Sequence, residues 1–244
     1  MIANANKAKS EKQTPYPIVF LVDVDDTLLD NDRIQRDIEL HLESEYGKVA
    51  RDRYWTIQED LMEKLGYRDY LGALQQYREE QPNNVRLLEM SSFLLDYPFA
   101  DRLYPKALDV LAHLRTLGQT VILSDGDVIF QPRKVERSSI SSAVDGEVLI
   151  YIHKEEALDD VRRRYPADHY VLIDDKLRIL DAVKKAWDGQ VTTVFPRQGN
   201  FANDPQIVAA FPAPDLTIER IADLLEYSLA DFESQMAVAS GLAS

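Results

Sequence analysis

The chain has 244 residues, 45% of them hydrophobic, enough to bury a full core as one large domain or as one domain carrying an insertion. It contains no cysteine, which excludes disulfides, thiolate metal sites and a cysteine nucleophile, and suits a reducing compartment, the cytoplasm by default. A formal net charge of −14 opposes the phosphate backbone of nucleic acids, so no nucleic-acid partner is expected, and an anionic substrate needs a site with its own local compensation.

Residues 1–14 are polar and rich in Ala, Asn and Lys, and read as a flexible tail without the apolar segment of a secretory signal. No apolar run approaches the roughly 20 residues that span a bilayer, so no membrane partner is expected. The first apolar run, Ile18 to Val22, is too short for a helix and rich in strand-forming residues. It runs into Asp23-Val24-Asp25-Asp26-Thr27.

From about 32 to 100 the spacing changes, and apolar residues recur at three and four: Ile34, Ile38 and Leu42, then Ile57, Leu61 and Leu65, then Leu71, Leu74 and Tyr77, then Leu87 to Leu95. This is a helical block inserted directly after the first strand. Its basic residues Arg51, Arg53, Arg68 and Arg78 read as solvated, although one or more could face an anionic substrate. Pro105 opens a further helix with Leu108, Leu111 and Leu114 on one face, and Gly118 closes it.

Short apolar runs then alternate with helical segments: Val121 to Leu123, Val148 to Ile152, Val171 to Ile173 and Val191 to Phe195 as strands, Leu177 to Trp187 as a helix, and a last helix after Leu216 with Ile218, Ile221, Leu225 and Leu229 on a common face. The pattern predicts an α/β fold, a doubly wound, Rossmann-like parallel sheet built from residues 15–31 and 101–235 with an all-helical cap domain over 32–100 and a flexible tail over 236–244.

In open parallel sheets ligands bind beyond the carboxyl ends of the strands. Strand one ends at Asp23 and Asp25, the second core strand at Ser124-Asp125-Gly126, and the run at Val171 at Asp174-Asp175, so carboxylates and a hydroxyl converge on one edge. Side-chain alternation puts Asp23 and Asp25 on one side with Val24 turned away. Such a cluster repels itself when empty and invites a hard cation; magnesium, with its preference for oxygen ligands, fits between Asp23 and Asp175. His41, His113, His153 and His169 lack metal-ligand spacing and are background.

The stretch Val19 to Asp30, a hydrophobic strand running into Asp-x-Asp-x-Thr, resembles the first motif of phosphatases of the haloacid dehalogenase-like (HAD) superfamily; Val121 to Ser124 is similar to the second motif, and Val171 to Asp175 to the acidic fourth. The resemblance implies that Asp23 is a nucleophile forming an aspartyl phosphate and that Asp25 is the acid and then the base. It further implies that Asp23, the backbone carbonyl of Asp25, and Asp175 hold Mg2+, with Asp174 behind them, and that Ser124 and a lysine bind the transferring phosphate. Lys154, which follows the strand Val148 to Ile152, is preferred to Lys134 for that lysine. The common Lys-Pro pair is Lys154-Glu155 here, and the position four residues after Asp175, often acidic in the family, is Ile179.

Dehalogenases of the superfamily lack the second aspartate of the first motif, so the expected activity is hydrolysis of a small phosphorylated metabolite. The competing readings are a phosphomutase, a receiver-like phosphoacceptor and a non-catalytic protein that keeps the fold.

Overall fold

The structure, a computed structural model, describes residues 14–232; the tail expectations for 1–13 and 236–244 lie outside the described residues. Strands β1 (Tyr16–Val22), β2 (Gln119–Asp125), β3 (Val148–Tyr151), β4 (Ala167–Ile173), β5 (Val191–Pro196) and β6 (Leu216–Ile218) form one sheet in the order β3-β2-β1-β4-β5-β6. Every pairing is parallel. The carboxyl ends of all six strands therefore share one edge, and the order reverses direction at β1, which lies between β2 and β4.

The sheet is buried on both faces. Ile18, Phe20 and Val22 of β1 point into one cluster with Val110, Leu111 and Leu114, whereas Val19 and Leu21 point into another with Ile179, Leu180 and Val183. Period-two alternation thus sends the same strand into two cores, which explains why its sequence is a continuous apolar run and not an alternating one.

Between β1 and β2 lie α1 (Asn31–Tyr46), α2 (Lys48–Leu65), α3 (Tyr70–Glu80) and α4 (Leu87–Asp96). The Asp30 carboxylate accepts from the Arg33 N–H and starts α1, Gly66 in the left-handed region ends α2, and the Asp69 carboxylate accepts from the Gly72 N–H to start α3. Ile34, Ile38, Leu42, Tyr54, Ile57, Leu74, Met90 and Leu94 close a third core of their own, joined by Phe130 from the helix that follows β2.

The core helices are α5 (Ala107–Leu117), α6 (Phe130–Arg137), α7 (Ile140–Ala143), α8 (Leu158–Arg164) and α9 (Leu177–Trp187), followed by the short α10 (Gly199–Ala202) and α11 (Pro205–Ala209). The doubly wound α/β expectation is met. One element differs: Leu216–Ile218 is an edge strand paired with β5, and Ile221–Glu226 is a 3-10 helix, where the periodicity predicts one continuous helix. Ile221 and Leu224 are the residues fully buried there, a spacing of three, and Ile218 seals the sheet edge. Among the described residues no helix is long and apolar enough to cross a membrane.

Candidate active site

The β1 ladder carries the chain to the first candidate side chain, since the Asp23 N–H still donates to the Ile173 carbonyl at 3.0 Å. The chain then leaves the sheet, with Val24 in the core below and Asp26 at φ 57°, a left-handed conformation that bends the backbone back toward α1. On the neighbouring strand, Asp174 and Asp175 follow β4 directly. Asp23, Asp174 and Asp175 are each at most 2% exposed, and each offers a carboxylate oxygen within 4.8 Å of the others.

Lys154 is the cation inside this cluster. It is 1% exposed, sits in a 3-10 turn after β3, and places its Nζ 2.6 Å from Asp23 Oδ1 and 2.6 Å from Asp174 Oδ2. Its backbone N–H donates to Asp125 Oδ1 at 2.7 Å, so the carboxylate ending β2 anchors the loop that carries the lysine. Burial disfavours the charged ammonium, but Asp174 and Asp23 outweigh it and hold its pKa well above the usual lysine value.

Burial pushes the Asp23 carboxyl up to about 6 against the pull of Lys154, with Asp174 adding to the rise. Asp175, buried beside Asp174 and Asp23, is pushed well above the carboxylate range, with Lys176 opposing. Lys176 is in turn penalised by burial yet held up by Asp175 and Asp23.

Satisfaction is uneven across the cluster. Asp174 Oδ1 accepts from the Lys176 N–H at 2.9 Å and its Oδ2 faces Lys154. Asp23 Oδ2 and both carboxylate oxygens of Asp175 are buried without a hydrogen-bond partner, while the Asp175 N–H is held by Thr27 Oγ1 at 3.2 Å. Orphaned anionic oxygens are expensive, and a hard divalent cation is the group that satisfies this all-oxygen donor set. The residues present therefore fit magnesium, with Asp23 and Asp175 as the side chains free to bind it.

The remaining expected residues stand beside the cluster. Asp25 lies outside the carboxylate trio and turns to Lys134, whose Nζ donates to Asp25 Oδ1 at 2.7 Å and to Asn31 Oδ1 at 3.1 Å. Lys134 and Lys154 thus hold different aspartates. Ser124, 1% exposed, accepts from Gln131 Nε2 at 3.0 Å, and the same amide lies 3.5 Å from Asp25 Oδ2.

Gln131, Asn31, Lys176 and Asp26 were not singled out by the sequence. For Gln131 and Lys134 a signal existed, because they are three apart on α6 and share its inner face. Gly126 lets Gln131 approach: at φ 156°, a Cβ there would lie 2.6 Å from the Gln131 side chain. Asp26 accepts from the N–H groups of Asn31 and Asp32 at 2.9 and 3.2 Å, and burial, with Asp32 and Asp25 nearby, lifts its pKa to about 7.

Above these groups is a cavity of about 370 Å3. Asp25, Asp175, Lys134 and Lys176 line its floor, the insert contributes Met62, Tyr67, Arg68 and Tyr70, and Phe201, Ile207 and Phe211 form an apolar side.

No family model matches the chain, and no curated protein does. Among solved structures, a haloacid dehalogenase-like hydrolase of Burkholderia xenovorans LB400 is 59% identical, covering 88% of this chain and 100% of that one, with a TM-score of 0.84. The chain belongs to the haloacid dehalogenase-like hydrolase family. More distant HAD structures share the fold: a magnesium-bound hydrolase of Bacillus subtilis at 16% identity (88% of this chain, 100% of that one, TM-score 0.58), and the L-2-haloacid dehalogenase of Xanthobacter autotrophicus with chloropropionic acid covalently bound at 17% (85% and 96%, TM-score 0.56). The HAD fold thus carries both a metal-binding member and a dehalogenase, so the branch within it has to be argued from the site.

Proposed function

We propose that this HAD hydrolase is a magnesium-dependent phosphatase acting on a small phosphate monoester, with the helical insert as its cap. The observation that carries the reading is the uneven satisfaction of the buried trio: Asp23 Oδ2 and both Asp175 oxygens lack partners while Lys154 holds Asp23 Oδ1 at 2.6 Å. Bound by Asp23, Asp175 and the Asp25 backbone carbonyl, with Asp174 behind, Mg2+ supplies positive charge that offsets the phosphate and keeps Asp23 ionised.

In this reading Asp23 attacks phosphorus, the bond to the leaving oxygen breaks, and the Asp25 carboxyl donates its proton to the departing alkoxide. A water molecule then attacks the aspartyl phosphate and gives its proton to Asp25. The phosphorus bond to Asp23 breaks, releasing inorganic phosphate and restoring the carboxylate. Lys154 steadies the nucleophile, Ser124 donates to a phosphate oxygen, and Gln131 and Lys134 hold Asp25 in line. The insert excludes water while the phosphoryl group transfers.

Asp25 also separates this reading from dehalogenation, which needs no acid for a departing halide. The test is phosphate release from p-nitrophenyl phosphate with and without Mg2+. Turnover that requires the metal and falls by about a thousandfold or more in Asp23→Asn is expected, the size seen when a group acting as part of a catalytic unit is removed. No release from a broad panel of phosphate esters, or turnover of 2-chloropropionate in their place, would sink it.

A further inference from the structure

The arginines of the insert differ in partner and in exposure. Arg51 pairs with Glu43 and Asp52, Arg53 with Glu80, and Arg86 with Glu45, all on the outer surface. Arg33, Arg36, Arg68 and Arg78 make no ion pair among the described residues; Arg33, Arg36 and Arg78 are exposed to water, whereas Arg68 is half-buried. The Arg68 Nη1 is buried without a hydrogen-bond partner, and its guanidinium lies 5.8 Å from the Trp55 ring. The Tyr70 hydroxyl is likewise buried and unpartnered. Both residues line the cavity.

Local structure explains why they sit there. Gly66 ends α2 at φ 79° and Asp69 starts α3, so Tyr67 and Arg68 occupy the tip of a tight turn between two helices. That tip leans on the loop bearing the active-site lysine: a Cβ on Gly66 would come within 2.7 Å of the His153 ring, one residue before Lys154. The turn therefore presents a cation and a phenol to the same cavity that Asp25, Asp175, Lys134 and Lys176 line. Leaving a guanidinium nitrogen buried and unpaired costs stability, and an oxyanion is the ligand whose geometry satisfies it. Met62, Tyr67, Phe201, Ile207 and Phe211 give the same cavity an apolar wall.

We propose that Arg68 and Tyr70 form a second anion subsite, so that the substrate is a phosphate monoester with an apolar body ending in another oxyanion, a carboxylate or a phosphate. This rests on the phosphatase reading. It is tested on the full chain with Mg2+, using ω-phosphooxyalkanoic acids of graded length beside their amides, and α,ω-bisphosphates beside the matching monophosphates, with p-nitrophenyl phosphate as the reference ester.

The expected result is a kcat/KM about tenfold or more higher for the doubly anionic member of at least one pair, the scale of a hydrogen-bonded charge. The pair that shows it tells carboxylate from phosphate. In Arg68→Met the ratio within that pair collapses toward one, in Arg68→Lys part of it survives, and in Arg53→Met, which loses only the outward pair with Glu80, it is unchanged. Wild-type turnover of p-nitrophenyl phosphate with no preference in either pair overturns the subsite and leaves the phosphatase standing. So does a ratio that persists in Arg68→Met, or an equal loss on every ester, which would assign Arg68 to the transferring phosphate. Failure on all phosphate esters overturns both readings.

Discussion

Lys154 is the residue on which the acidic cluster depends. It is the only side chain that the described residues place against both Asp23 and Asp174, and all three are buried. Replacing it by methionine preserves much of the volume but strands two carboxylates, a change that costs about 3–5 kcal/mol when one member of a buried pair is removed. The pH dependence has a definite sign. Burial already raises Asp23 to about 6 against the pull of the ammonium, and without that pull its folded-state pKa lies higher still. The folded protein then binds more protons than the unfolded chain, so stability falls as pH rises from about 4 through about 6 and above. Denaturant unfolding of Lys154→Met should therefore show a larger deficit against wild type at pH 8 than at pH 5. A deficit that is flat with pH would mean that the lysine does not compensate these acids. The same substitution should depress phosphate release even where the protein remains folded.

At the level of elements, the insert and the sheet domain meet through aromatic packing. Phe130, the first residue of α6, lies 4.8 Å from Tyr70 of the insert and 5.5 Å from Phe99, ring centroid to centroid, and is buried with the α1–α4 core. The helix that presents Gln131 and Lys134 to Asp25 is thus the helix that docks the insert. Phe130→Ala should lower global stability by about 3–5 kcal/mol, the usual cost of deleting a buried ring. Amide exchange in α2 and α3 should quicken more than in β1, because the insert loses an anchor while the sheet keeps both of its cores. Equal acceleration in the two regions would show that they open as one unit.

For the whole molecule, the orphaned oxygens of Asp23 and Asp175 make the folded state receptive to a divalent cation that the unfolded chain has no assembled site to bind. At a hundredfold excess over its Kd, such a ligand stabilises by about 2.7 kcal/mol. For a chain of this size that corresponds to a rise in Tm of roughly 5–10 °C. Thermal scans with Mg2+ should show this rise at constant ionic strength, which controls for screening of the net charge of −14. In Asp175→Asn the rise should shrink or vanish; an undiminished rise would place the ion elsewhere.

Much of the architecture was legible because it rests on periodicity. Continuous apolar runs and three-four spacings reflect burial on two faces and on one, and those patterns survive in a linear string. The region after Leu216 misled because its apolar residues suit either a helix face or an edge strand followed by a 3-10 turn, and only pairing with β5 decides between them. At the site, Asp23, Ser124, Asp174 and Asp175 were readable as strand-end residues, since a parallel sheet must bring such ends to one edge.

Which partner each of them holds was not readable. The assignment of Lys154 to Asp23 and Lys134 to Asp25, the role of Gln131 between Ser124 and Asp25, and the unpaired guanidinium of Arg68 depend on segments far apart in the chain. Local sequence determines how a segment folds and which face it buries; only tertiary packing determines which charges lose their water together, and that decides which of them are left needing a ligand.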